Sequence, residues 1–352
     1  MSGYKIKFNG IDRLYDAYSW RLTRRAKKVW ASGNVLQGQY LNQLESEVAK
    51  QYKRKYAVAV ASATAGLYFA MKAAKVEKDD FVICPSLSYT ATAGAIKRIG
   101  ANIDFVDVDK IGNIDVTKIP NVGKPKVLLY VNLFGNTAEY DTLRKICDAR
   151  NIILIEDAAQ SQGAKYKKLL SGTLGDISVF SFDPMKNMPS FGGGGMVLTD
   201  NKDYYDYIKS IRRHGFGSNM QYGHNSLISD DHCNQLLLIL SKFDKLQKMR
   251  QKVFERYKIN LPMIKFIESN KESDSSFHKL VALVDNRGQL QKYLAENGIE
   301  TKIHYAQTLD PKNRYLNADV FCNTALSLPI YPYLLDKEID YICNKIKKFY
   351  NV

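Results

Sequence analysis

The chain has 352 residues, 45% of them hydrophobic, and a formal net charge of +15. That length implies a large domain with a smaller companion, and the composition excludes a low-complexity or collagen-like chain. Cysteines at 84, 147, 233, 322 and 343 form no CxxC. Their odd number excludes a complete disulfide framework, and a reducing compartment follows.

The charge suits nucleic acid, an anionic membrane surface or small polyanionic substrates. The basic residues are scattered singly and in pairs ("RRAKK", "YKRKY", "KYKK", "KIKKF") with no long basic arm. They read as a lysine-rich solvated surface or as a local anion site. "MSGYKIKFNG" has no apolar core of a leader, and no apolar run is long enough to cross a bilayer. The expectation is a soluble, cytoplasmic protein with no membrane or nucleic-acid partner.

In chain order, strands are expected at 56–61, 80–85, 102–108, 126–132, 151–157, 177–182 and 195–200. Helix-length segments such as "ATAGLYFAMKAA", "YTATAGAIKRIG" and "YDTLRKICDARN" lie between them. Strand and helix in alternation imply a mostly parallel sheet covered on both faces, with functional groups beyond the carboxyl ends of its strands. A long helical pattern from about 230 to 257 leads to a smaller α+β unit. There a strand "HKLVALV", a helix "GQLQKYLAENG", a strand "ETKIHY" and a last helix "DKEIDYICNKIKKFY" follow one another. The expected division is 1–245 and 246–352.

Lys186 stands four residues beyond "ISVFSF", in a loop that continues through Pro, Ser and Gly to "GMVLTD". A lysine held there with a lowered pKa can attack an aldehyde and form a Schiff base; the bland alternative is surface decoration. Asp157 ends the apolar run "IILIE". Such a carboxylate can keep a pyridine nitrogen protonated, the state in which pyridoxal phosphate is an electron sink, or it can merely cap the next turn. Ser62, Ala63 and Thr64 open a helix after a strand, where free N–H groups and the helix dipole suit a phosphate. They are also simply good capping residues. Tyr89 follows the next strand and either lies on a cofactor ring or joins the core.

"GGGG" precedes a strand, lacks the lysine and hydroxyl of a P-loop and is no GxGxxG opening a helix, so it reads as close backbone packing. Histidines 214, 224, 232, 278 and 304 have no metal-ligand spacing, and no metal is expected.

"ASATAGL", "CPSLSYTATA", "DFVDVD", "NLFGN", "IEDAAQSQGA", "GDISVFSF", Lys186-Asn187, "RRHG", "TKIHY" and "LSLPIYP" occur in this order. In that order and spacing the chain resembles the DegT/DnrJ/EryC1/StrS sugar-nucleotide aminotransferases from about Asn34 to Tyr333. The resemblance implies the type I fold of pyridoxal-phosphate enzymes, an α/β fold whose large domain carries a mostly parallel seven-stranded sheet beside a smaller C-terminal α+β domain. It implies pyridoxal 5'-phosphate as cofactor, passing through pyridoxamine 5'-phosphate.

It also implies roles. Lys186 binds the cofactor aldehyde, Asp157 partners the pyridine nitrogen, Gln160 touches the cofactor near its phenolic oxygen and Tyr89 stacks on the ring. Ser181 with the backbone of Ala63 and Thr64 holds the phosphate. Asn225, in "YGHNSL", reaches the phosphate from the neighbouring subunit of a homodimer, and His304 and Tyr305 lie near the sugar.

Ala63, Asp183, Pro184, Gly193, Asn234 and Ala306 depart from the common pattern, and Asp183 and Gly193, beside Lys186, are expected to bear on substrate choice. Relatives that remove a hydroxyl carry histidine in place of the lysine, so the resemblance implies a true aminotransferase. The expected reaction moves an amino group from L-glutamate, giving 2-oxoglutarate, to a nucleoside-diphosphate 4-keto-6-deoxyhexose, as in the viosamine and perosamine synthases that the chain most resembles. The rivals are a 3-aminotransferase on a 3-keto sugar nucleotide and a basic regulatory or nucleic-acid-binding protein on the same core, although no helix-turn-helix or basic-aromatic patch is appended.

Overall fold

Strands β1 (Tyr56–Val60), β2 (Phe81–Pro85), β3 (Asn102–Val106), β4 (Val127–Val131) and β5 (Ile153–Asp157) are followed by the two-residue strands β6 (Lys165–Tyr166) and β7 (Leu169–Leu170), then by β8 (Ile177–Ser181) and β9 (Gly195–Thr199). The structure is a computed structural model that describes residues 3–121, 123–217 and 222–352. Seven of these strands form one sheet in the order β1-β9-β8-β5-β4-β2-β3. Only β9 runs against its neighbours β8 and β1; the other pairs are parallel.

All five residues of β4 and of β8 are buried, as strands covered on both faces must be. Alternation sorts β1: Val58 and Val60 face one core with α3 (Ala63–Ala73) and α4 (Thr90–Lys97), while Ala57 and Ala59 face another. That second core is built by α1 (Ile11–Ser32) and α2 (Gln39–Gln51), which the sequence reading did not single out. Leu14, Tyr18, Leu22, Ala26 and Val29 make the buried stripe of α1 at helical spacing. Helix α5 (Tyr140–Arg150) covers the opposite end of that face through Leu143 and Cys147, and α6 (Lys202–Ile211) packs on the α3 side.

The expected continuous helix at 230–257 is two helices, α7 (Asp230–Leu240) and α8 (Phe243–Asn260). Ser241 turns its hydroxyl back onto the Leu238 carbonyl, and Lys242 leaves helical geometry. Asn234, one of the departures, clamps α7 to α1: its Oδ1 accepts from Arg25 and its Nδ2 donates to the Arg25 carbonyl.

Beyond α8 lie β10 (Lys265–Phe266), β11 (Ser273–Asp274), β12 (Leu280–Leu283) and β13 (Ala325–Leu328), with α9 (Arg287–Glu296), α10 (Leu316–Thr324) and α11 (Asp336–Tyr350). The sheet β10-β12-β13 packs on α8, α9 and α11, whereas β11 joins the β6–β7 hairpin. "ETKIHY" is not a strand; it meets β13 through the single bridge Lys302–Ser327. Ile6 packs in this C-terminal core, so the N-terminal segment contributes to both units. The five cysteines are buried and unbridged, and among the described residues no helix is long and apolar enough to cross a membrane.

Candidate active site

Parallel β1, β2, β5 and β8 end at the same edge of the sheet, and antiparallel β9 begins there. The residues just beyond those ends, with a segment of the C-terminal unit, enclose a cavity of about 790 Å³. Ala63, Thr64, Tyr89, Asp157, Gln160, Ser181, Asp183, Lys186, His304 and Tyr305 all line it.

Lys186 is held by a tight turn. Its backbone N–H donates to the Asp183 carbonyl (2.9 Å), Pro184 follows Asp183, and the Asp183 carboxylate accepts from the Met185 N–H (2.9 Å). Asp at the first corner and Pro at the second are favoured turn chemistry, so these two departures build the loop that presents the lysine. Among the described residues the Lys186 ammonium has no hydrogen-bond or ion-pair partner. Burial lowers its pKa, against the pull of Asp183 and Asp157.

Asp157 is buried at the end of β5. One carboxylate oxygen accepts from Thr92 Oγ1 (2.9 Å), which also contacts Ser88 Oγ (2.9 Å), and the other accepts from the Ala159 N–H (3.1 Å). Burial raises its pKa, while Ala159, Thr92 and the positive Lys186 hold it down. The Ala159 bond is the local capping contact; the Thr92 bond, from a different βα unit, aims the carboxylate.

Ser62 caps α3 by accepting from the Ala65 N–H (3.1 Å). Ala63 and Thr64 then carry N–H groups with no intrahelical acceptor, and they face the cavity with Ser181. The last glycine of "GGGG" explains itself here: a Cβ on Gly195 would lie 2.7 Å from Ala63 N. Gly193 leaves that wall without a side chain.

Gln160 donates to the Tyr305 hydroxyl (2.8 Å) and accepts from the Phe134 N–H (3.3 Å). Tyr89 is 57% exposed, so it is no core residue, and its ring stands 6.5 Å from that of Tyr305. His304 meets Ser327 Oγ (2.9 Å), and burial with Lys279, Lys186 and Lys302 nearby lowers its pKa to about 2, which keeps it neutral.

Asn225 does not line the cavity. It is exposed and pairs with Arg213 in an antiparallel bridge, while its neighbour Ser226 accepts from the Ala61 N–H (3.0 Å) beside the α3 N-terminus. Thr92 and Lys279 were not anticipated. Thr92 sits one helical turn after Tyr89, a spacing that marks a shared face only once α4 is placed. Lys279 precedes an apolar strand and lines the cavity.

An unpaired amine for an aldehyde, a carboxylate for a ring nitrogen and a helix N-terminus with a hydroxyl for a phosphate fit pyridoxal phosphate. The profile of the DegT/DnrJ/EryC1/StrS aminotransferase family matches residues 20–347. The chain is 30% identical to the GDP-perosamine synthase of Escherichia coli O157:H7 over 337 residues, 89% of this chain and 91% of that one. It is 31% identical to a UDP-2-acetamido-2-deoxy-3-oxo-D-glucuronate aminotransferase of Pseudomonas aeruginosa over 334 residues, 90% and 92% of the two chains. The crystal structure of S. venezuelae DesV superposes with a TM-score of 0.93 at 26% identity, covering 98% of each chain. The chain therefore belongs to the DegT/DnrJ/EryC1/StrS family and is a pyridoxal-phosphate-dependent sugar-nucleotide aminotransferase.

Proposed function

We propose that this enzyme transfers the amino group of L-glutamate to C4 of a nucleoside-diphosphate 4-keto-6-deoxyhexose, giving a 4-amino-4,6-dideoxyhexose nucleotide for glycan biosynthesis. The observation that carries the reading is the convergence of the unpaired Lys186 amine and the buried Asp157 carboxylate on one cavity. The perosamine synthase relative supports C4, and the 3-oxo-glucuronate relative supports amination at C3 as the second reading.

Lys186, Asp157, Gln160, Tyr89, Ser181, Ala63 and Thr64 would hold pyridoxal phosphate, which when bound supplies an electron sink for the carbanion at the donor Cα. Lys186 would hold the cofactor at its aldehyde, and its amine would remove the proton from the glutamate Cα. In the second half it delivers a proton to the sugar carbon. Its lowered pKa favours the free amine that this work needs. Asp157 would keep a positive charge on the ring nitrogen, and Thr92 fixes the carboxylate for it. Tyr305, bonded to Gln160, and neutral His304 border the sugar, and Asp183 with Gly193 shapes that wall.

The working unit is a homodimer in which Asn225 completes the partner's phosphate site; its exposure beside the Ala61–Ser226 contact supports this. The buried, unbridged cysteines support a reducing compartment, the cytoplasm.

Borohydride reduction of the holoenzyme and peptide mapping should place the cofactor on Lys186; a label on Lys279 or any other lysine sinks the assignment. Incubation with glutamate and a panel of 3-keto and 4-keto sugar nucleotides, with NMR of the product, decides the position aminated.

A further inference from the structure

We infer that Lys279 is the anchor for a substrate carboxylate, an inference that rests on the aminotransferase reading above. Lys279 immediately precedes β12, where its backbone N–H donates to the Phe134 carbonyl (3.1 Å). Side chains alternate along a strand. Leu280 and Ala282 enter the C-terminal core, while Val281 and Leu283 pack with Leu87, Val131 and Phe134 of the large unit. Lys279 shares the face of Val281, at the seam between the units, and lines the cavity together with Lys186 and His304.

Lys279 is only 8% exposed, and among the described residues it has no hydrogen-bond acceptor or ion-pair partner for its ammonium. The ammonium stands over the Phe8 ring, 4.9 Å from its centroid. Burial, then Lys186 and Arg250, pushes its pKa well below the lysine range; Asp183 opposes this, and Lys302 adds to it. The other cavity carboxylate, Asp157, is taken up by Thr92 and Ala159. A buried ammonium without a counter-charge is costly, so the empty site favours the neutral amine, and an incoming anion that pairs with Lys279 favours its protonated form. The α3 N-terminus and Ser181 already offer donors to a phosphate, which leaves Lys279 for a different anion. A carboxylate reaches the site from the amino-acid donor or from a uronic-acid sugar nucleotide.

The test uses the holoenzyme, with Lys279→Met and Lys279→Gln removing the charge and Lys279→Arg keeping it. The cofactor spectrum is followed during titration with L-glutamate alone. The amino-loaded enzyme is then titrated with a keto-uronate nucleotide and with a neutral 4-keto-6-deoxyhexose nucleotide. Loss of the charge should weaken a carboxylate ligand ~10- to 100-fold, in KM more than in kcat, with part of the affinity recovered by arginine. Weakening toward glutamate assigns the carboxylate to the donor, and weakening confined to the uronate assigns it to the sugar. Unchanged affinity for both in folded, cofactor-bearing Met and Gln variants overturns the inference. A parent protein that takes up no cofactor overturns the aminotransferase reading instead.

Discussion

Two side chains carry the proposed chemistry, and each has a neighbour that positions it. For Asp157 the neighbour is Thr92, whose hydroxyl holds one carboxylate oxygen at 2.9 Å while Ser88 completes the chain behind it. Asp157→Asn keeps the shape and removes the charge, so turnover should fall at least ~100-fold, or ~2.7 kcal/mol of barrier. Near-normal turnover would leave Asp157 as a turn cap, because Asn caps as well as Asp. Thr92→Val should cost about tenfold in kcat/KM and shift the pH dependence of the cofactor absorbance, with Thr92→Ser restoring both. A purely structural threonine would leave that pH profile unmoved. For Lys186 the neighbour is the Asp183-Pro184 turn, which fixes the backbone while the amine has no hydrogen-bond or ion-pair partner among the described residues.

At the scale of elements, the site depends on how closely the start of β9 approaches the start of α3. A methyl on Gly195 would lie 2.7 Å from Ala63 N and 3.0 Å from the Phe180 carbonyl, both backbone atoms that cannot step aside alone. Gly195→Ala should therefore destabilise by ~1–3 kcal/mol and weaken cofactor retention. Gly94, inside α4, has nothing within 4 Å of its would-be Cβ. Gly94→Ala should stabilise by ~0.5–1 kcal/mol, since alanine loses less entropy in a helix. Urea unfolding of both variants checks the contrast, and equal effects would mean that β9 and α3 tolerate separation.

Two expectations concern the whole molecule. Mixed dimers of Lys186→Ala and Asn225→Ala subunits hold one site that has its own Lys186 and receives an intact Asn225 from its partner. At statistical mixing about half the dimers are mixed, so activity should return to about a quarter of normal. No recovery, with exchange confirmed by native mass spectrometry, would confine Asn225 to its own chain. The second expectation follows from His278, which is buried against Asn187. Burial, then Lys279, Lys186 and Arg250, lowers its pKa far below the ordinary value. The unfolded chain therefore binds the proton first, and stability falls as pH drops below about 6.5, by up to ~1.4 kcal/mol per unit from this group. Unfolding at pH 7.5 and 5.5 should show a smaller difference in His278→Gln than in the parent; equal differences would clear His278 of the effect.

The sequence by itself determined what is local or periodic. The seven apolar runs became the seven strands of the large sheet, and Lys186, Asp157, Tyr89 and the α3 N-terminus sit at strand ends because alternating strand and helix leave their loops there. Tertiary structure decided what depends on approach between distant segments. Thr92 meets Asp157 across a sequence separation of 65 residues. Lys279 enters the cavity only because the face of β12 shared with Val281 packs on the large unit. The break between α7 and α8 hangs on one serine turning back on its own helix. Helical and strand periods are written in neighbouring residues, but which face meets which is a property of packing, and no local pattern encodes it.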